Sequence, residues 1–113
     1  MHELSITQSI VNIAVDTAKE HGVQKVHAIR VRIGEYSGIV SQCVQQYFDI
    51  LSKGTAAEGA VLDMKRIPIT MRCKVCGAEN EIDKFNIRCP DCGSTDLKLL
   101  TGHEFYVESL EVD

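Results

Sequence analysis

Apolar and polar positions along the first half of the chain recur with two different periods. Residues 3–20 carry apolar side chains at helical spacing, and Gly22 predicts the end of a first helix. Residues 40–52 show a second stripe with the same period. Between them, residues 25–33 alternate apolar and polar side chains, which indicates a strand. The two predicted helical stripes consist of Leu4, Ile10, Val11, Ala14, Val15 and Ala18, and of Val40, Val44, Tyr47, Phe48 and Leu51.

The second half of the chain predicts two more strands, over residues 60–67 and 104–112. The cysteine-rich segment between them is polar between its cysteines, so we expect metal binding to supply its folding energy. The most economical fold is α+β: a three-stranded sheet with two helices, plus an inserted zinc-ribbon-like unit. The expected domains are an α/β domain of residues 1–69 and 99–113, and a zinc-binding domain of residues 70–98.

Four of the five cysteines form two pairs that carry the strongest chemical signal in the sequence. Cys73 and Cys76 are two residues apart, as are Cys89 and Cys92, with twelve residues between the pairs and a glycine after each pair. Two such pairs can direct four thiolates at one ion, which predicts a closed structural zinc site. Rubredoxin-like iron, which would make the chain a redox module, is the alternative on the same ligands. Disulfides are disfavoured because nothing else indicates an oxidising compartment.

Composition and charge exclude several classes of function. The chain has 113 residues, a formal net charge of −4 and only 5% aromatic residues. A zinc-ribbon module that binds nucleic acid would need a basic surface and stacking rings, so nucleic acid is not the expected partner. We find no membrane-spanning run and no secretion signal, and we expect a cytoplasmic protein. A zinc ion with four protein ligands has no open position and the chain has no phosphate-binding loop, so we expect no enzyme.

The first three residues form a second candidate metal site. The amine of Met1, the amide and imidazole of His2 and the amide of Glu3 place four nitrogens within chelating reach. Ni²⁺ and Cu²⁺ displace amide protons and accept such donors in a square plane, whereas Zn²⁺ prefers tetrahedral sites. A frayed, solvated terminus is the ordinary alternative, and the pattern alone leaves it open.

Taken together, these motifs resemble the HypA/HybF family over essentially the whole chain. The shared features are the Met1-His2-Glu3 start, the strand-to-loop run of residues 31–39, the segment of residues 58–60 and the cysteine pattern. The resemblance implies a metallochaperone that delivers Ni²⁺ as cargo to [NiFe]-hydrogenases. It assigns nickel binding to Met1, His2 and Glu3, and structural zinc to Cys73, Cys76, Cys89 and Cys92.

The resemblance also implies partners. These are the maturation GTPase HypB, the large subunit of [NiFe]-hydrogenase and, in some bacteria, urease maturation proteins. We expect the chain to be a monomer or a weak homodimer. Among the remaining candidates, His103 is a possible accessory nickel ligand, His27 is expected to pack at a strand end, and Cys43 is expected to be a buried thiol of the second helix.

Overall fold

The computed structural model describes residues 2–113, with the side chain of His2 left out. It contains two helices and six strands. In chain order they are α1 (His2–His21), β1 (Val26–Gly34), α2 (Ser41–Leu51), β2 (Val61–Ile67), β3 (Thr70–Cys73), β4 (Glu79–Glu81), β5 (Leu97–Thr101) and β6 (Phe105–Val112).

Helix α1 ends at a glycine cap. Gly22 has a φ of 64°, a left-handed conformation that glycine adopts without steric cost. The N–H of Gly22 donates to the carbonyl of Lys19, and the N–H of Val23 donates to the carbonyl of Ala18. These bonds satisfy carbonyls that the last turn leaves without partners inside the helix. The buried face of α1 consists of Glu3, Thr7, Ile10, Val11, Ala14 and Ala18.

Strands β2, β1 and β6 form a three-stranded sheet with β1 at its centre. Central β1 buries Ile29, Val31 and Ile33 completely, as the alternating pattern predicts. Helix α2 buries Val44 and Phe48, and it packs against α1. The predicted α+β fold, a three-stranded sheet with two helices, is confirmed.

Two predictions about single residues are corrected. His27 does not pack at the strand end, because its side chain is half exposed and its Nε2 lies 2.5 Å from Asp113 Oδ1. Cys43 is only partly buried, because it lies beside the buried stripe of α2 rather than within it.

A second three-stranded sheet, in the order β4-β3-β5, supports the cysteine pairs. Strand β3 pairs antiparallel with both neighbours, with Met71 opposite Asn80 on one side and Leu99 on the other. Ile69, Met71 and Ile82 are buried together. The partly buried residues packed against this cluster are Ile87, Leu97 and Leu99. The segment therefore has apolar packing that its polar sequence did not indicate: Ile82 and Ile87 lie between the cysteine pairs, and the other four residues flank them.

The structure divides into two compact units. The first unit comprises residues 1–31, 39–65 and 106–113, and the second comprises residues 32–38 and 66–105. The second unit therefore extends beyond the expected 70–98 on both sides and includes the loop after β1. Hydrogen bonds explain why this loop belongs to the second unit. Tyr36 N–H donates to Gly102 O over 2.6 Å, and Glu35 N–H donates to Ile67 O over 2.9 Å.

Gly34 lies where no other residue fits. A Cβ atom at this position would stand 2.1 Å from the carbonyl oxygen of Gly102, which is backbone and cannot move aside. We expect Gly34→Ala to destabilise the zinc-loaded protein by about 1–3 kcal/mol, measured by denaturant unfolding. Gly38→Ala is the control, since Gly38 has open space around it and carries only the strain of a φ of 76°. Equal stability of Gly34→Ala and the unchanged protein would contradict this close approach.

Candidate metal centre

The two cysteine pairs lie on two turns with the same backbone pattern. In the first turn, Gly77 N–H donates to Cys73 O over 2.9 Å, and in the second, Gly93 N–H donates to Cys89 O over 2.8 Å. Both glycines have left-handed φ values, 79° and 77°, which close the turns. Each turn therefore brings its two sulfurs to one side of the backbone.

The four sulfurs converge on one point. Every pair of these Sγ atoms lies within 4.8 Å. The short distances run between the turns: Cys73 Sγ lies 3.5 Å from Cys92 Sγ, and Cys76 Sγ lies 3.6 Å from Cys89 Sγ. A tetrahedral zinc ion with bonds of about 2.3 Å requires sulfurs about 3.8 Å apart. All five cysteines are free thiols, so the donor set fits a tetrahedral thiolate metal site.

The environment of the sulfurs favours a bound cation. The N–H of Cys76, with that of Val75, lowers the pKa of Cys73 to about 6. The N–H of Ser94 lowers the pKa of Cys92. Contact with the Cys73 sulfur and burial outweigh this effect and raise the pKa of Cys92 to about 12. Four sulfurs at these distances repel one another when ionised, and a divalent cation is what allows all of them to be thiolates.

Contacts around the turns hold them in place. Cys73 N–H donates to Ala78 O and Cys89 N–H donates to Ser94 O, both over 2.8 Å. Between β4 and the second turn, Asn80 Nδ2 donates to Asp91 Oδ2 over 3.2 Å. Cys73 and Cys89 are buried, whereas Cys76 and Cys92 are exposed. The centre therefore lies at the surface of the second unit, with one cysteine of each pair buried and the other exposed.

The N-terminal candidate site is described only in part. Met1 and the side chain of His2 lie outside the described residues, and the main chain of His2 begins α1. Glu3 is buried, and its Oε2 accepts the N–H of Val40 over 3.0 Å. Its own carbonyl accepts the hydroxyl of Thr7. The carboxylate of Glu3 therefore connects the first turn of α1 to the start of α2.

The other histidines do not join a metal cluster. Within the part of the chain that the structure describes, the four cysteines are the only group of three or more His, Cys, Asp or Glu close enough to share an ion. His21 and His103 are exposed.

None of the described helices is long and apolar enough to cross a membrane.

A small α+β scaffold with a converged four-cysteine centre defines a metal-binding protein, and comparisons with known proteins narrow the class. The family model for hydrogenase/urease nickel incorporation, metallochaperone, hypA matches residues 1–112. The chain therefore belongs to the HypA family.

Relatives agree with this assignment over nearly their full length. The chain is 42% identical over 113 residues to hydrogenase maturation factor HypA of Dehalococcoides mccartyi, covering 100% of this chain and 95% of the relative. It is 44% identical over 114 residues to that of Caldanaerobacter subterraneus, covering 100% of both chains. It is 46% identical over 114 residues to that of Nostoc sp., covering 100% of this chain and 96% of the relative.

Solved structures show the same fold. A solution structure of the Ni metallochaperone HypA from Helicobacter pylori superposes with a TM-score of 0.66 at 23% identity, covering 97% of this chain and 96% of that one. A second solution structure of a HypA protein gives a TM-score of 0.73 at 24% identity, covering 99% of this chain and 96% of that one.

Proposed function

We propose that this protein binds Ni²⁺ at Met1, His2 and Glu3 and delivers it for the maturation of [NiFe]-hydrogenase, while Cys73, Cys76, Cys89 and Cys92 hold a structural Zn²⁺. The observation that carries this proposal is the match of the nickel-incorporation family from residue 1 to residue 112, which includes the Met1-His2-Glu3 start. The convergence of the four sulfurs supports the separate zinc site.

The nickel donors are nitrogens of the terminal amine, the main chain and one imidazole. Four such nitrogens suit the planar coordination of Ni²⁺ after the amide protons are displaced. In an α-helix, the N–H groups of the first turn do not donate to carbonyls of the same helix. Chelation by main-chain nitrogens at the start of α1 therefore removes no bond within that helix.

Glu3 has a second part in this proposal. Its carboxylate accepts the N–H of Val40, so we assign to nickel its main-chain nitrogen and not its side chain. The carboxylate instead ties the first turn of α1 to the start of α2. A buried carboxylate at the N-terminus of α2 is also favoured by the positive end of the helix dipole.

The first unit attracts cations. It contains nine of the sixteen Asp and Glu residues but only five of the twelve Lys and Arg residues. The formal net charge of the protein is thus concentrated in the unit that carries the proposed nickel site. Such a field raises the local concentration of a divalent cation and speeds its association.

Delivery is proposed as ligand exchange at this N-terminal segment. A thiolate or imidazole of the recipient displaces the weaker donors while protons return to the amides. The proposed partners are the maturation GTPase HypB, the large subunit of [NiFe]-hydrogenase and urease maturation proteins, in the cytoplasm. The protein works as a monomer or weak homodimer, without nucleic acid, and we propose no catalytic reaction for it.

The experiment that tests this function is a nickel titration of the zinc-loaded protein at several pH values. Each displaced proton makes nickel affinity fall about tenfold per pH unit once its donor is protonated. We therefore expect the affinity to drop by at least about tenfold per unit between roughly pH 8 and roughly pH 6, where the amine and imidazole also gain protons. X-ray absorption of the nickel should show planar nitrogen coordination. A flat affinity over this interval, or sulfur in the nickel shell, would overturn the proposed site.

A further inference from the structure

One aromatic ring of the second unit is almost wholly exposed. Phe85 has 86% of its surface accessible, whereas Phe48 in α2 is buried. Phe85 lies in the turn of residues 83–86, which follows β4. A single exposed apolar side chain is common on protein surfaces, so the ring is significant only together with the groups that lie beside it.

The turn is ordered without help from the ring. Asp83 Oδ1 accepts the N–H of Phe85, and Asp83 O accepts the N–H of Asn86, both over 2.9 Å. Just before the turn, Ile82 is buried and its N–H donates to Ile69 O over 2.8 Å. The backbone thus holds the ring outward, and the ring itself contributes no packing to the apolar cluster of this unit.

A cavity of about 690 Å³ adjoins the ring and has acidic groups without partners. Ile82 and Phe85 supply its apolar lining. Asp83 accepts a hydrogen bond of the turn, and Glu35 and Glu81 add two further carboxylates. Among the described residues, neither of these two carboxylates has an ion-pair partner. Of the two cations in the lining, Lys84 lies over the Phe85 ring, 5.2 Å from its centre, and Arg66 already interacts within the protein.

We propose that this cavity, together with the Phe85 ring, docks a partner protein through a segment that carries an arginine beside an apolar side chain. The guanidinium pairs with Glu81, with the Glu35 carboxylate adding to the negative charge, and lies flat against the ring, which is the geometry that arginine provides and lysine does not. The neighbouring apolar side chain covers Ile82 and the rest of the ring. Nucleic acid is a poor occupant, because the carboxylates repel phosphate.

Blocked tripeptides test this proposal on the full-length, zinc-loaded protein. The probe is acetyl-Leu-Arg-Leu-amide, and acetyl-Leu-Gln-Leu-amide is its uncharged match. Binding is followed by the amide shifts of ¹⁵N-labelled protein. We expect the arginine peptide to shift the amides of residues 81–86 and to bind at least about threefold more tightly than the glutamine peptide, with the difference shrinking as salt is added.

Variants assign the contacts. Phe85→Ser and Glu81→Gln should each weaken the arginine peptide by about threefold or more while leaving the rest of the spectrum unchanged, since neither side chain packs in the core. Ile50→Ser is the matched control, because Ile50 is a 64% exposed apolar residue of the first unit. Equal binding of both peptides, shifts elsewhere on the protein, or shifts of residues 81–86 by an oligothymidine instead of the peptide would overturn the proposal.

Discussion

Cys73→Ser and Cys89→Ser are expected to lose zinc and, with it, the ordered turns of the second unit. Structural zinc sites contribute roughly 10–16 kcal/mol of apparent binding free energy. Removing one thiolate of four forfeits roughly a quarter of this, about 3 kcal/mol, which weakens zinc binding by about a hundredfold. Cys73 should be the more sensitive position, because the N–H groups of Val75 and Cys76 both donate to its sulfur over 3.4 Å.

The measurement is zinc content after dialysis against a competing chelator, together with amide spectra of labelled protein. We expect the amides of the two cysteine turns to move to disordered positions while those of α1 and α2 stay. Ile69, Met71 and Ile82 pack against one another and none of them is a proposed zinc ligand, so part of the β3 pairing should also persist. Cys43→Ser is the control, since this thiol lies on α2 outside the cluster. Stoichiometric zinc in both cysteine variants would contradict the site.

The helices and the main sheet could be predicted because their signals are local. The stripe of α1 recurs over several turns, and Gly22 marks its end. Strand β1 alternates strictly from Ile29 to Ile33. These patterns come from the period of each element alone, so no knowledge of partners is needed.

The second sheet could not be predicted from such patterns. Strand β4 has only three residues, Glu79–Glu81, and none of them is apolar. It is a strand because β3 pairs with it, and that pairing depends on where the cysteine turns fold the chain. The loop after β1 belongs to the second unit for the same reason, since hydrogen bonds such as that from Tyr36 N–H to Gly102 O join distant residues.

The burial of Glu3 was missed, although the sequence contains its signal. Glu3 and Thr7 continue the buried stripe of α1 toward its N-terminus at a spacing of four residues, ahead of Val11. Leu4, which was assigned to the stripe, is 48% exposed. Hydrophobicity alone favours Leu4 for the buried stripe, whereas helical geometry places Glu3 inward, where the N–H of Val40 satisfies its carboxylate.

His2→Ala, and a Gly-Ser extension before Met1, are both expected to remove high-affinity nickel binding. The first change deletes the imidazole donor. The second replaces the terminal amine by an amide and moves the new amine away from the other nitrogens. Either loss should weaken nickel binding by at least about a hundredfold, because the remaining donors no longer complete a planar chelate. Titration calorimetry with zinc-loaded protein measures the affinity and the stoichiometry.

The controls separate the nickel site from the rest of the protein. His21→Ala removes an exposed histidine and should leave the nickel stoichiometry unchanged, whereas a loss of nickel in His103→Ala would assign His103 as an accessory ligand. Glu3→Gln keeps both the main-chain nitrogen and an oxygen that accepts the N–H of Val40, so it too should bind nickel. Loss of nickel in Glu3→Gln would instead assign the carboxylate as a donor. Full nickel binding by His2→Ala, with zinc retained, would place the cargo elsewhere on the protein.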